Sequence, residues 1–299
     1  MLIEDFLASC AARNLSQEST KLYRIALTRF HSFAGSDMGV IDERLLRRYI
    51  FEMQSAGLSP TSVHHYFRVV KILLAYALEA GAVASNPAAL LPMPRKGKRL
   101  PKALSENQAQ ALLDACPDWT WNGRRDKAAI FLLLGTGLRL SELLSLNIHD
   151  LNLEDGCLHT IGKGDKERTV PMDDDVVEVM KDWLGLRMNV LGSKAQRSLF
   201  ISRSCGRMGK TFGQAVKQAG AQAGFHCTPH VCRHTFSTEW IRSGGDVMVL
   251  SQILGHSSIS TTNIYIHLAQ KDFREAANRC SITKRLRFDS RQMQFDTGR

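Results

Sequence analysis

Apolar positions recur three and four residues apart through the first third of the chain, the period of an amphipathic helix. In "SQESTKLYRIALTRFHSFA" they are Leu22, Ile25, Phe30 and Phe33, which predicts one helix. "DERLLRRYIFEM" predicts another, opened by Asp42 as N-cap. "SPTSVHHYFRVVKILLAYALEAG" predicts a third, with Ser59 as N-cap, Pro60 at the first helical position and Gly81 as its stop. Residues 1–88 therefore read as a small helical bundle.

The pattern breaks at "NPAALLPMPRKGKRLPKALS". Pro87, Pro92, Pro94 and Pro101 forbid a continuous helix, and Arg95, Lys96, Lys98, Arg99 and Lys102 arrive with no acid among them. Residues 89–104 read as an interdomain linker that can lie along a phosphate backbone, releasing a counterion for each cation placed.

Residues 105–280 read as a second domain. Ser105 and Gln108 fit a capping box, and an apolar helix runs into a Gly-Thr-Gly turn. A further helix, led by Leu138 and Arg139, follows; Leu138, Leu140, Leu143 and Leu144 give it an apolar face. "CLHTIGKGDKERTVPM" predicts a β-hairpin turning at Gly164-Asp165. Helices are expected again from Asp173 to Asn189, from Gly209 to Ala223 and after Pro229. Another should stop at Gly255, and a last one should start after Ser260 or Thr261. The tail, residues 281–299, is basic and then polar. The expected class is mainly α with a small antiparallel β-sheet.

Among 299 residues, a net charge of +10 favours a polyanionic partner such as nucleic acid. Seven cysteines without framework spacing read as reduced thiols of a cytoplasmic protein. "MLIEDFLASC" carries acids where a signal peptide needs basic residues, and no apolar run approaches the ~20 residues that span a bilayer. Secretory and membrane classes are therefore not expected.

"CTPHVCRHTFSTEWI", Cys227 to Ile241, crowds two cysteines, two histidines and an arginine together. Cys and His at this spacing suggest zinc, whereas a permanent guanidinium repels a metal and invites a phosphate. His230, Arg233 and His234 lie three and four apart and share a helix face. Arg139, beside a Gly-rich turn, could pair with Glu142 or bind an anion. "GKGDKERTVP" lacks the P-loop pattern and sits between strands, so a nucleotide site is rejected.

Taken in order, "GTGLRLSELLSL", "GKGDKERTVP", "PHVCRHTF" and "LGHSSISTTNIYIH" resemble the catalytic domain of tyrosine recombinases, the phage-integrase family that includes Xer-type enzymes. The likeness spans roughly Ser105 to Leu268, and the N-terminal bundle is similar to the family's SAM-like core DNA-binding domain. By that resemblance Arg139 matches the first catalytic arginine and Lys163 the hairpin lysine. His230 and Arg233 match the H-x-x-R pair, His256 the histidine of "LGH" and Tyr265 the nucleophile. The resemblance implies attack of the Tyr oxygen on a phosphodiester, giving a 3′-phosphotyrosine and a free 5′-hydroxyl, with no cofactor. It also implies a tetramer on two DNA sites, with "KDFREAANRC" docking on a neighbouring subunit in trans.

The chemistry of these side chains suits the reaction. A tyrosine with pKa near ~10 needs a base or cations to become a nucleophile. Two guanidiniums can clamp the charge of a phosphoryl transition state, which leaves the cysteines to packing. His230 suits proton transfer at the Tyr oxygen and Lys163 protonation of the departing 5′-oxygen. The rival readings are a DNA-binding regulator that does not cut, which needs neither Tyr265 nor Lys163, and a type IB topoisomerase-like enzyme. The N-terminal bundle and Xer-like spacings disfavour the second.

Overall fold

Helix α1 (Leu2–Ala12) opens the chain, and side-chain caps start the three helices after it. Ser16 accepts from the Ser19 N–H, Asp42 from Leu45 and Ser59 from Ser62, which fixes α2 (Gln17–Ala34), α3 (Glu43–Ser55) and α4 (Pro60–Glu79). The computed structural model describes residues 2–35, 41–97, 103–162, 166–191 and 196–255. It divides into two compact units, Met1–Arg99 and Leu100–Arg299.

In the first unit α4 is central. Its Phe67, Val70 and Leu74 pack with Phe30, Leu46 and Tyr49, while Val69 and Leu73 pack with Phe6 and Leu27. The expected stripe on α2 needs correcting. Phe30 is buried, but Leu22 and Ile25 are about half exposed, at 48% and 49%. The inward face is set by Ala26, Leu27 and Phe30, because α1 and α4 approach α2 from that side.

Part of the Pro-rich stretch is seated on α4. Leu91 is buried in the first unit's core. Lys71 Nζ donates to the Leu91 carbonyl at 2.8 Å, and His64 Nδ1 to the Pro94 carbonyl at 2.7 Å. Arg95 and Lys96 are exposed. Lys98, Arg99 and Lys102 lie outside the described residues.

The second unit begins with α5 (Glu106–Asp114), opened by the expected Ser105–Gln108 capping box. α6 (Trp121–Thr136) is its central helix, packed against both α8 (Asp174–Leu191) and α10 (Pro229–Arg242). Thr120 caps α6 earlier than the apolar run indicates, so Arg124 and Arg125 fall inside the helix, just after core-packed Trp121 and buried Gly123. Between α7 (Leu140–Ser145) and α8 lies an antiparallel sheet of three strands, β1 (Leu151–Asn152), β2 (Cys157–Ile161) and β3 (Glu167–Pro171), in that order. Leu158 faces Val170 across the β2–β3 ladder, and both are buried. The hairpin tip at Gly164-Asp165 lies outside the described residues.

α9 (Phe212–Gln222) starts three residues later than expected, with Phe212 anchored in the core. α11 (Val247–Leu254) is capped by Asp246 and stops at Gly255, as the sequence indicates. The helix expected after Ser260 and the tail from Ser281 lie outside the described residues. The architecture is mainly α with one small antiparallel sheet.

Candidate active site

Gly137 sets up the site. It ends α6 in the left-handed region, at φ 64°, and its N–H donates to the Leu133 carbonyl. A Cβ there would stand 2.4 Å from the Phe236 ring, so only glycine fits both the conformation and the space. Leu138 then plugs the core, fully buried, and Arg139 becomes the N-cap of α7. Leu138 and Arg139 thus precede the helix they were expected to lead. The reason is the cap: Glu142, at the third helical position, accepts from the Arg139 backbone N–H at 2.7 Å.

Glu142 is the hub of a cationic cluster. Its side chain is 3% exposed, and three guanidiniums surround it. Arg139 Nη1 donates to Oε1 at 2.8 Å. Arg168, from β3, donates to both oxygens at 2.9 and 2.8 Å. Arg233 Nη1 lies 4.0 Å from Oε2. Burial alone would raise the Glu142 pKa, but hydrogen bonds from Arg168 and Arg139 outweigh it and take it down to about 2.

Arg233 is 3% exposed and lies in the second turn of α10. It donates to the carbonyls of Gly137 at 2.7 Å and Leu254 at 2.8 Å, so it stitches the turns that end α6 and α11. Arg139, 30% exposed, is the more open guanidinium and reaches the Gly255 carbonyl at 3.4 Å. The structure therefore brings Arg139 and Arg233 together around one carboxylate. Pairing with Glu142 and a place in a cationic cluster turn out to be compatible for Arg139.

His230 stands one turn before Arg233, just after Pro229, and its N-terminal turn is capped by Thr228. It is exposed, yet protein atoms crowding the ring desolvate the imidazolium, and Arg233 and Arg139 repel it, so its pKa falls below the ordinary value. His234 rests against it, ring centroids 5.3 Å apart. Burial, then His230 and Arg233, push His234 down to about 4. Both imidazoles are neutral near pH 7, the state in which His230 can accept a proton.

The two cysteines of this stretch are packing residues. Cys227 and Cys232 are fully buried in the second unit's core, with sulfurs 3.9 Å apart. Lys163, His256 and Tyr265 lie outside the described residues. Four of the five tyrosines belong to the first unit, and all four pack against its core clusters. Tyr49 is fully buried there, and desolvation pushes its phenol up to about 12.

Sequence reasoning missed Arg168. The readable signal is alternation on β3, where Arg168 shares a face with buried Val170 and so occupies an inward position.

A family model described as Phage integrase family matches residues 102–272, and one described as Phage integrase SAM-like domain matches residues 2–94. Tyrosine recombinase XerC of Pelobacter propionicus is 34% identical over 266 residues, 86% of this chain and 87% of that protein. Tyrosine recombinase XerD of Staphylococcus epidermidis is 30% identical over 286 residues, 92% of this chain and 96% of that protein. Among solved structures, XerH site-specific recombinase bound to palindromic difH substrate, in a post-cleavage complex, matches with a TM-score of 0.74 and 25% identity. That match covers 91% of this chain and 82% of that one. XerA recombinase matches with a TM-score of 0.52 and 29% identity over 96% of this chain and 98% of that one.

Proposed function

The chain belongs to the phage integrase family of tyrosine recombinases, and on that footing we propose that it cuts and rejoins DNA at specific sites through a 3′-phosphotyrosine on Tyr265. The observation that carries this reading is the convergence of Arg139 and Arg233 on Glu142, with His230 one helical turn away. One carboxylate facing three guanidiniums is an arrangement that can receive an anion in a desolvated setting, where cationic donors stabilise a phosphoryl transition state most.

In this reading Arg139 and Arg233 hold the non-bridging oxygens of the scissile phosphate. His230 takes the proton of the Tyr265 hydroxyl as the oxygen attacks phosphorus. Lys163 gives a proton to the departing 5′-oxygen, and His256 donates to a phosphate oxygen. The energy of the broken ester is kept in the phosphotyrosine. A 5′-hydroxyl from a partner strand then reverses the step, and neither nucleotide nor metal is consumed.

Recombination joins two sites, so the working assembly is a homo-tetramer on DNA, with the segment 271–280 contributed in trans to a neighbouring subunit. Arg95, Lys96, Lys98, Arg99 and Lys102 contact phosphates of the DNA backbone. The enzyme works in the cytoplasm on the nucleoid; among the described residues no helix is long and apolar enough to cross a membrane.

A duplex carrying a nick just 3′ of the cleavage point tests the reading, because the short 5′-hydroxyl fragment diffuses away and traps the adduct. A covalent protein–DNA species that forms in EDTA and maps to Tyr265 is the expected result. Site binding without any adduct would favour the regulator that does not cut.

A further inference from the structure

Arg168 makes three side-chain hydrogen bonds beside the site. Besides gripping both Glu142 oxygens, its Nε donates to the Ile253 carbonyl at 2.7 Å, and its side chain is 10% exposed. Two glycines make room for it. A Cβ on Gly162 would stand 3.0 Å from its Nη1, and a Cβ on Gly255 would stand 3.0 Å from the same atom and 3.2 Å from its Cδ and Cζ. Gly162 is the residue before Lys163, and Gly255 the residue before His256.

We propose that Arg168 is a positioning residue for strand cleavage, holding Glu142 in the orientation that leaves Arg139 free for phosphate and fixing the distance between the end of β2 and the last turn of α11. The inference rests on the reading of Arg139 given above. A carboxylate gripped at both oxygens by one planar fork cannot rotate. With its plane set by Arg168, Glu142 meets Arg139 through a single Nη1 contact and through the backbone N–H. Without that fork, Glu142 is free to turn onto Arg139 as a two-point pair and withdraw it from an incoming anion. The Ile253 contact adds a second constraint, because the same guanidinium that orients Glu142 also pins α11 two residues before Gly255. A lysine keeps the charge but donates from a single point, so it cannot span both oxygens and the carbonyl at once.

The test compares wild type, Arg168→Lys and Arg168→Met on the nicked duplex in single turnover. The scissile group is either an ordinary phosphodiester or a methylphosphonate, in which a methyl group replaces one charged oxygen. Duplex affinity and melting temperature are measured alongside. If Arg168 positions Arg139, Arg168→Met binds DNA within about twofold of wild type but cleaves the phosphodiester on the order of a hundredfold more slowly. Arg168→Lys recovers part of that loss. On the methylphosphonate, with less charge to clamp, the deficit shrinks to about tenfold or less. An equal deficit on both substrates overturns the proposal, as does a loss of melting temperature and DNA affinity in step with cleavage. Should Arg168→Met fail to fold, the same comparison of substrates is decided on Arg168→Lys. Wild type that forms no adduct on the phosphodiester would remove the recombinase reading itself, whereas variants that cleave at wild-type speed remove only the role of Arg168.

Discussion

Arg233 donates to the carbonyl of Gly137, two residues ahead of Arg139, so the buried arginine holds the turn that aims the open one. The two guanidiniums are thus a single mechanical unit. Glu142 ties them together electrostatically, at 2.8 Å from Arg139 and 4.0 Å from Arg233.

Glu142→Gln should therefore cost both stability and cleavage. Removing one partner from a buried ionic cluster leaves the others desolvated and uncompensated, a penalty of about 3–5 kcal/mol. Urea denaturation of the variant should show it. A midpoint unchanged from wild type would mean that the carboxylate is dispensable to the fold.

Acid should destabilise the second unit in two stages. His234 has a folded pKa of about 4 against 6.5 unfolded, so the unfolded chain binds the extra proton first and stability declines as pH falls below about 6.5. His230 shifts in the same direction and adds to this stage. Glu142, at about 2 against 4.5, contributes stability that is present above pH 4.5 and lost as pH falls toward 2. Melting temperatures from pH 8 to pH 3 check this. His234→Asn should flatten the upper stage alone, and an unchanged upper slope would contradict the half-buried neutral imidazole.

Arg95 and Lys96 emerge, exposed, directly after a segment fastened to α4 by Lys71 and His64. Changing Arg95, Lys96, Lys98 and Arg99 to Ala should weaken binding to all duplexes alike and flatten the dependence of log affinity on log salt by roughly one unit per lost phosphate contact. Identical salt slopes for variant and wild type would demote the segment to a spacer.

Tyr265 and Lys163 are separable by leaving-group chemistry. Tyr265→Phe should bind its site and form no adduct on any substrate. Lys163→Ala should cleave poorly when the leaving group is a 5′-oxygen of high pKa, and recover on a substrate with sulfur at that position, since a thiolate leaves without a proton. Rescue of Lys166→Ala in place of Lys163→Ala would move the acid to the exposed Lys166. An adduct formed by Tyr265→Phe would overturn the nucleophile.

The helices that sequence placed well are those with a side-chain cap at their own start: Asp42, Ser59 and Ser105 act locally and need no tertiary partner. Leu22 and Ile25 were not resolvable that way, because which side of α2 is covered depends on where α1 and α4 dock. α1 did carry a readable stripe, with Phe6, Leu7 and Cys10 buried, whereas the two-residue β1 is too short for any period to show. Arg139, His230 and Arg233 stood out because their residue types recur in a known order. Glu142 was legible only as a local partner of Arg139, and Arg168 not at all, since a carboxylate and an arginine far apart in the chain look like ordinary surface charges until folding brings them to 2.8 Å.

The stitching of the site has a consequence for synthesis. Arg233 reaches Gly137 across 96 residues, and Arg139 reaches Gly255 across 116. At about 5–20 residues per second on the ribosome, Arg139 emerges on the order of ten seconds before the carbonyl it will meet. A nascent chain consequently lacks the Arg139–Glu142–Arg233 cluster for most of its time on the ribosome, and a chain truncated before α10 never acquires it. A DNA-cutting enzyme of this build thereby completes its cluster only when translation of its second unit is well advanced.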